Sequence, residues 1–122
     1  MAAQAGKTSR RTKPVEPKPE CNSIEQVFSV LGRAWAGAVL HAMLDGNERF
    51  SEIARAVPGV TDSVLTARLK ELCDFGAVER TVDVGPPVAV RYRLTAAGRD
   101  AAPVLKSARA YAEKHHDLFV GR

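Results

Sequence analysis

Four residues, Ser63, Thr66, Ala67 and Lys70, recur at i, i+3, i+4 and i+7, so any helix that contains them carries them along one face. The other side of that segment holds Leu65, Leu69 and Leu72, with Val64 beside them. A solvated helix face usually mixes glutamate with lysine. This one has two hydroxyls, a methyl and one ammonium, and no carboxylate. Short donors and acceptors reach base edges, and the lack of negative charge permits close approach to phosphates. The chemistry on offer is therefore insertion into the major groove of a DNA duplex. An ordinary exposed helix face is the plainer alternative.

Further along, Val90, Tyr92 and Leu94 alternate with Ala89, Arg91 and Arg93. In a strand whose apolar set faces the core, Arg91 and Arg93 stand on the outer face, suited to bidentate phosphate contact. A solvated strand edge that resists aggregation would look the same. Ser51 and Thr61 precede helical stretches, each with an acid next in sequence, and helix N-termini there would present N–H groups to phosphates. Arg49, Arg55 and Arg68 are further cations for the backbone, although Arg68 adjoins the leucine stripe and would equally well pair with a carboxylate of its own chain. His41, His115 and His116 lack partners at metal-ligand spacing, and neither a phosphate loop nor a nucleophile elbow is present. No enzyme, metal or cofactor is expected.

These side chains need elements to hold them. Ile24, Val27, Phe28 and Leu31 form a helical stripe from about Cys21, with Ser23 as its cap and Gly32 as its stop. A second helix spans about Trp35 to Leu44, ended by Asp45-Gly46, and Arg49-Phe50 is a short extended step. Ser51 caps a third helix, Pro58-Gly59 turns the chain, and Thr61 caps the fourth, which stops at Phe75-Gly76. Val78 to Val82 and Val88 to Leu94 alternate as two strands around Gly85-Pro86-Pro87. Thr95 caps a last helical region, interrupted at Pro103. The predicted fold class is α+β, mostly helical: a winged helix-turn-helix with a C-terminal dimerisation helix. That helix carries an apolar stripe of Val104, Leu105, Ala108, Tyr111, Ala112, His115 and Phe119, more than so small a domain needs for its own core.

Composition sets the bounds. The chain has 122 residues, room for one domain, with 45% hydrophobic and 26% charged residues. No apolar run approaches the roughly 18 residues of a membrane span, and no secretory h-region is present. Two distant cysteines, Cys21 and Cys73, suit neither a disulfide framework nor zinc, which points to the cytoplasm. The net charge is +4, but residues 1–20 hold five basic against two acidic residues and the remainder thirteen against twelve. Most of the surplus thus sits on a Pro-containing tail read as disordered, and the position of the folded cations matters more than their sum. The expected organisation is a tail over 1–20, a DNA-binding domain over 21–119 and a C-terminal end at 120–122.

Several runs resemble one family. Cys21-Asn22-Ser23-Ile24-Glu25, Leu31-Gly32-Arg33-Ala34-Trp35, Arg49-Phe50-Ser51-Glu52-Ile53, the stretch from Val64 to Leu72, and Tyr92-Arg93-Leu94-Thr95-Ala96-Ala97-Gly98-Arg99 are similar to the HxlR-type regulators of the wider MarR-like group. The resemblance spans about residues 21–119. It implies a winged-helix transcription factor that dimerises through its terminal helices and acts as repressor or activator at palindromic sites. It also implies that Cys21 matches a cysteine some relatives use to sense electrophiles or oxidants, so an oxidant or small-molecule effector is a candidate partner beside double-stranded DNA and a second copy of the chain. A helix N-terminus favours a thiolate there, whereas Glu20 and Glu25 oppose it. Cys73, next to Asp74, reads as structural. The chain departs from the family where Arg33-Ala34 replaces Gly-Lys, where Ala67 replaces a frequent Gln, and where Ala89 replaces a frequent Arg. Those changes bear on base preference and affinity rather than on the fold. The competing reading is a winged-helix module that binds protein through the same face.

Overall fold

A computed structural model describes residues 19–120, with side chains from Ser23 onward. The elements are α1 (Pro19–Leu31), α2 (Ala36–Leu44), α3 (Phe50–Ala56), α4 (Asp62–Phe75), β1 (Val78–Asp83), β2 (Ala89–Leu94), α5 (Ala96–Arg99) and α6 (Ala102–Lys114), followed by a 3₁₀ turn over His116–Leu118. This is a mostly helical α+β winged helix-turn-helix: α3 and α4 are the paired helices, and β1 with β2 is the wing. Residues 1–18, the side chain of Cys21 and residues 121–122 lie outside what the structure describes, so the disordered-tail expectation does too over 1–18, whereas Pro19 and Glu20, assigned to that tail, open α1. No single helix among the described residues is long and apolar enough to cross a membrane.

The core is made where the sequence stripes converge. Val39, Leu40, Ile53, Leu65, Leu69 and Leu72 are almost wholly buried, with Met43, Val57 and Val78 close behind. Full burial of each such side chain contributes about 1.5–3 kcal/mol against the entropy of ordering it. Tyr92, Leu94 and Leu105 pack on this cluster from the wing and from α6. The leucine side of α4 is thereby fixed inward, which turns its polar side outward.

Local chemistry sets most boundaries. Thr61 caps α4, its Oγ1 accepting from the Val64 N–H at 3.2 Å, and Gly76 ends it at φ 96°, a left-handed value that glycine adopts without a Cβ clash. Thr95 caps α5, and α5 gives way to α6 just before Pro103, whose ring fits the first turn of a helix. The strands pair antiparallel with Val78 opposite Leu94 and Asp83 opposite Ala89.

Several expectations are corrected. α1 begins at Pro19, so Ser23 lies inside the helix rather than capping it. α3 begins at Phe50 with Arg49 as its N-cap, so Ser51 is within the first turn and Arg49-Phe50 is not a strand. What remains of that extended step is one backbone bond, from the Tyr92 N–H to the Glu48 carbonyl at 2.7 Å. Val88 precedes β2 and is exposed, while Ala89, expected outside, is buried. Trp35, expected as the first residue of the second helix, is instead its N-cap, 41% exposed and at φ 74°.

The proposed interface residues on α6 divide. Leu105 turns into the protein's own core, and Ala112 is half-buried. Val104, Ala108, Tyr111 and Phe119 stay exposed, Tyr111 by 56%. The helix ends at Lys114, which leaves His115 as its C-cap, its ring 4.8 Å from that of Tyr111, and places Phe119 beyond the helix. Sequence periodicity missed a second exposed apolar surface: on α1, Ile24 and Phe28 are 57% and 58% exposed.

Candidate nucleic-acid interface

On α4, Ser63, Thr66 and Lys70 are exposed and Ala67 is half-buried, so the four-residue face is open to solvent. Thr66 and Lys70 line a groove of about 290 Å³ with Leu69, Cys73, and with Arg80 and Tyr92 of the hairpin. The polar face of α4 thus lies alongside the wing rather than turned from it. Thr61 is committed as the cap and approaches the Ser63 hydroxyl at 3.4 Å. Lys70 reaches Asp74 at 3.0 Å, a pair between two exposed side chains. Exposed i,i+4 pairs are worth a few tenths of a kcal/mol, so a phosphate can displace the carboxylate.

Arg68 does something else. Its side chain is only 12% exposed; Nε donates to the Ala34 carbonyl at 2.9 Å and Nη1 meets the Glu71 carboxylate at 2.7 Å. Glu71 also takes Arg33 at 3.5 Å. These bonds bolt α4 to the Gly32–Trp35 corner, where the chain bends by 80° between α1 and α2. Trp35 holds a left-handed backbone there, costly for a bulky residue by roughly 1–3 kcal/mol. The same corner packs on the turn before α4, since a Cβ on Gly59 would come 3.3 Å from the Trp35 ring. Arg68 therefore orients the helix and is not a free cation on its groove face.

The wing arginines are also engaged. Arg91 donates from Nε to Asp83 at 2.7 Å and from Nη1 to Glu48 at 3.2 Å, and Arg93 reaches Glu48 at 3.4 Å. Asp83 stands opposite Ala89 and Arg91 opposite Thr81, so the Arg91–Asp83 pair runs diagonally across the two strands. Arg91 holds the Asp83 carboxyl below the ordinary carboxylate range, and Asp83 with Glu48 raises Arg91 in turn. The expected free outer face of β2 is instead an ion-paired one. Glu48 was not anticipated, since only its placement at the β2 edge brings it to residues more than forty positions away.

On α3, Oε1 of Glu52 accepts from the N–H groups of Glu48 and Arg49 at 3.1 and 3.2 Å, and those bonds hold its carboxyl below the usual range. The N–H groups ahead of this helix are thus spoken for, which weakens the case for Ser51 as a phosphate site. Burial, with Asp74 adding to it, pushes the Cys73 thiol up, consistent with an unreactive cysteine. His41 lies 3.7 Å from Asp45 and 3.3 Å from Arg109, in a setting of ion pairs.

A family model for HxlR-like helix-turn-helix proteins matches residues 30–118. The chain belongs to this family. It is 38% identical over 94 residues to the HTH-type transcriptional regulator YodB of Bacillus subtilis, covering 77% of this chain and 84% of YodB. The structure of reduced YodB superposes with a TM-score of 0.71 at 36% identity, over 82% of this chain and 95% of that one. The reduced form of the redox regulator HypR gives 0.72 at 33% identity, over 82% and 99%. YodB is also known in diamide-treated and quinone-bound forms, and HypR in an oxidised form.

Proposed function

We propose that this HxlR-type chain is a sequence-specific DNA-binding transcriptional regulator that represses from palindromic operators as a homodimer. The observation that carries the reading is the open face of Ser63, Thr66, Ala67 and Lys70 beside the wing, with no carboxylate among the four and Asp74 one turn on paired to Lys70. In this reading Thr66 and Ser63 address base edges, Ala67 meets thymine methyls, Lys70 exchanges Asp74 for a phosphate, and the N-terminus of α4 behind Thr61 faces the backbone. The exposed apolar residues of α1, of α6 and of the turn after it, Ile24, Phe28, Val104, Tyr111 and Phe119 among them, pair with those of a second copy. The site of action is the cytoplasm, where the target is DNA, and no catalytic step is assigned.

A DNA titration tests this. Against the best site selected from random duplex, binding should fall steeply with salt and exceed binding to scrambled duplex by at least about 10³-fold. Weak binding without sequence preference would instead favour the protein-binding module. Likeness to YodB and HypR supports oxidant sensing at Cys21. Under this reading diamide releases the wild type from its site and leaves Cys21→Ser bound; an equal response of both proteins would remove Cys21 from the mechanism.

A further inference from the structure

Glu48 stands in the connection between α2 and α3 and holds the wing in two ways. Its carbonyl accepts from the Tyr92 N–H at 2.7 Å, which fixes the strand edge against the helix-turn-helix. Its carboxylate Oε1 takes Nη1 of Arg91 at 3.2 Å and Nε of Arg93 at 3.4 Å, while Asp83 takes the remaining Nε of Arg91 at 2.7 Å. The two cations and two carboxylates of this cluster cancel one another. This face of the hairpin therefore offers phosphates little net charge, although two arginines on one strand would by themselves be a strong phosphate site; Arg80, on the opposite face beside Thr66 and Lys70, is a separate cation. Unlike Lys70, which has only Asp74, Arg91 is held by two carboxylates at once, so a phosphate must displace both.

We propose that Glu48 is a positioning residue for DNA binding: it holds Arg91 and Arg93 off the phosphate backbone, so these two arginines add little to the salt-dependent part of affinity. The inference rests on the DNA-binding reading above. Base discrimination then falls to α4, and the sequence-independent attraction is kept low. Glu48 touches no DNA in this arrangement. It acts through the two arginines, and Asp83 alone is left to hold Arg91 when Glu48 is neutral.

Glu48→Gln keeps the backbone bond to Tyr92 and the side-chain shape, and removes only the charge. On both selected and random duplex it should bind about 3- to 10-fold tighter at low salt. The log–log salt dependence should steepen by about one per protomer, as one more phosphate is neutralised. A merely structural Glu48 predicts weaker binding with the slope unchanged, and an unchanged or shallower slope overturns the proposal. The double variant Arg91→Ala/Arg93→Ala, in the otherwise native chain, gives an independent answer should Glu48→Gln fold poorly. Arginines already held back leave the slope within about 0.5 of wild type, whereas arginines that contact phosphates lower it by about two per protomer and refute the mask. If the wild type binds neither duplex, the regulator reading itself fails and this one falls with it. If it binds selectively and the variants do not behave as stated, only the role of Glu48 is lost.

Discussion

Thr66 is the side chain on which the groove reading is easiest to break. It lies in the middle of the open face of α4 and is exposed to solvent. Thr66→Glu should leave the fold intact while placing a carboxylate against base edges and phosphates. Loss of a base contact plus like-charge repulsion is worth roughly 3 kcal/mol, about 100-fold in affinity. Fluorescence anisotropy on the selected site, with a melting curve alongside, checks both halves; undiminished binding would move the interface away from α4. At this scale the sequence was readable where helical spacing alone decides orientation, as for Ser63, Thr66, Ala67 and Lys70. It was unreadable where a charge finds its partner across the fold. Arg68 had a carboxylate three positions on, at Glu71, a usable hint of an internal pair, but nothing local pointed from Arg91 and Arg93 to Glu48.

Between elements, Thr95 is the joint that seats the wing on the recognition helix. Its Oγ1 donates to the Gly76 carbonyl at 2.6 Å and accepts from the Gly98 N–H at 3.1 Å, so one hydroxyl joins the end of α4 to the start of α5. Thr95→Ala should cost about 1–2 kcal/mol in chemical denaturation, with Thr95→Ser recovering most of it. Equal stability of all three proteins would mean that water replaces both bonds. The cap of α3 adds a pH dependence. The Glu52 carboxyl is lowered in the folded chain, so its contribution is present above the ordinary carboxylate range and fades as acidification protonates it. Caps and stops made by one residue, such as Thr61, Gly76 and Thr95, could be located from sequence. Those at α1 and α3 slipped because Pro19 starts the first helix and Glu52 reaches back past Ser51 to close the third. Pro19 followed by Glu20 was a readable N-terminal signal.

For the molecule as a whole, the proposed pairing of two copies decides how two α4 helices are presented. An apolar surplus in the last helix was visible in the sequence as too many large residues for one small core. The share taken by α1 was hidden, because an amphipathic stripe looks the same whether its own domain or a partner covers it. In the proposed dimer, two-fold pairing through these surfaces would set the recognition helices roughly 34–36 Å apart, one turn of duplex. Guanine-methylation interference on the selected site reads that geometry directly. The account predicts two major-groove interference patches, related by a dyad and centred about 10–10.5 base pairs apart. A single patch, or none in the major groove, would contradict it.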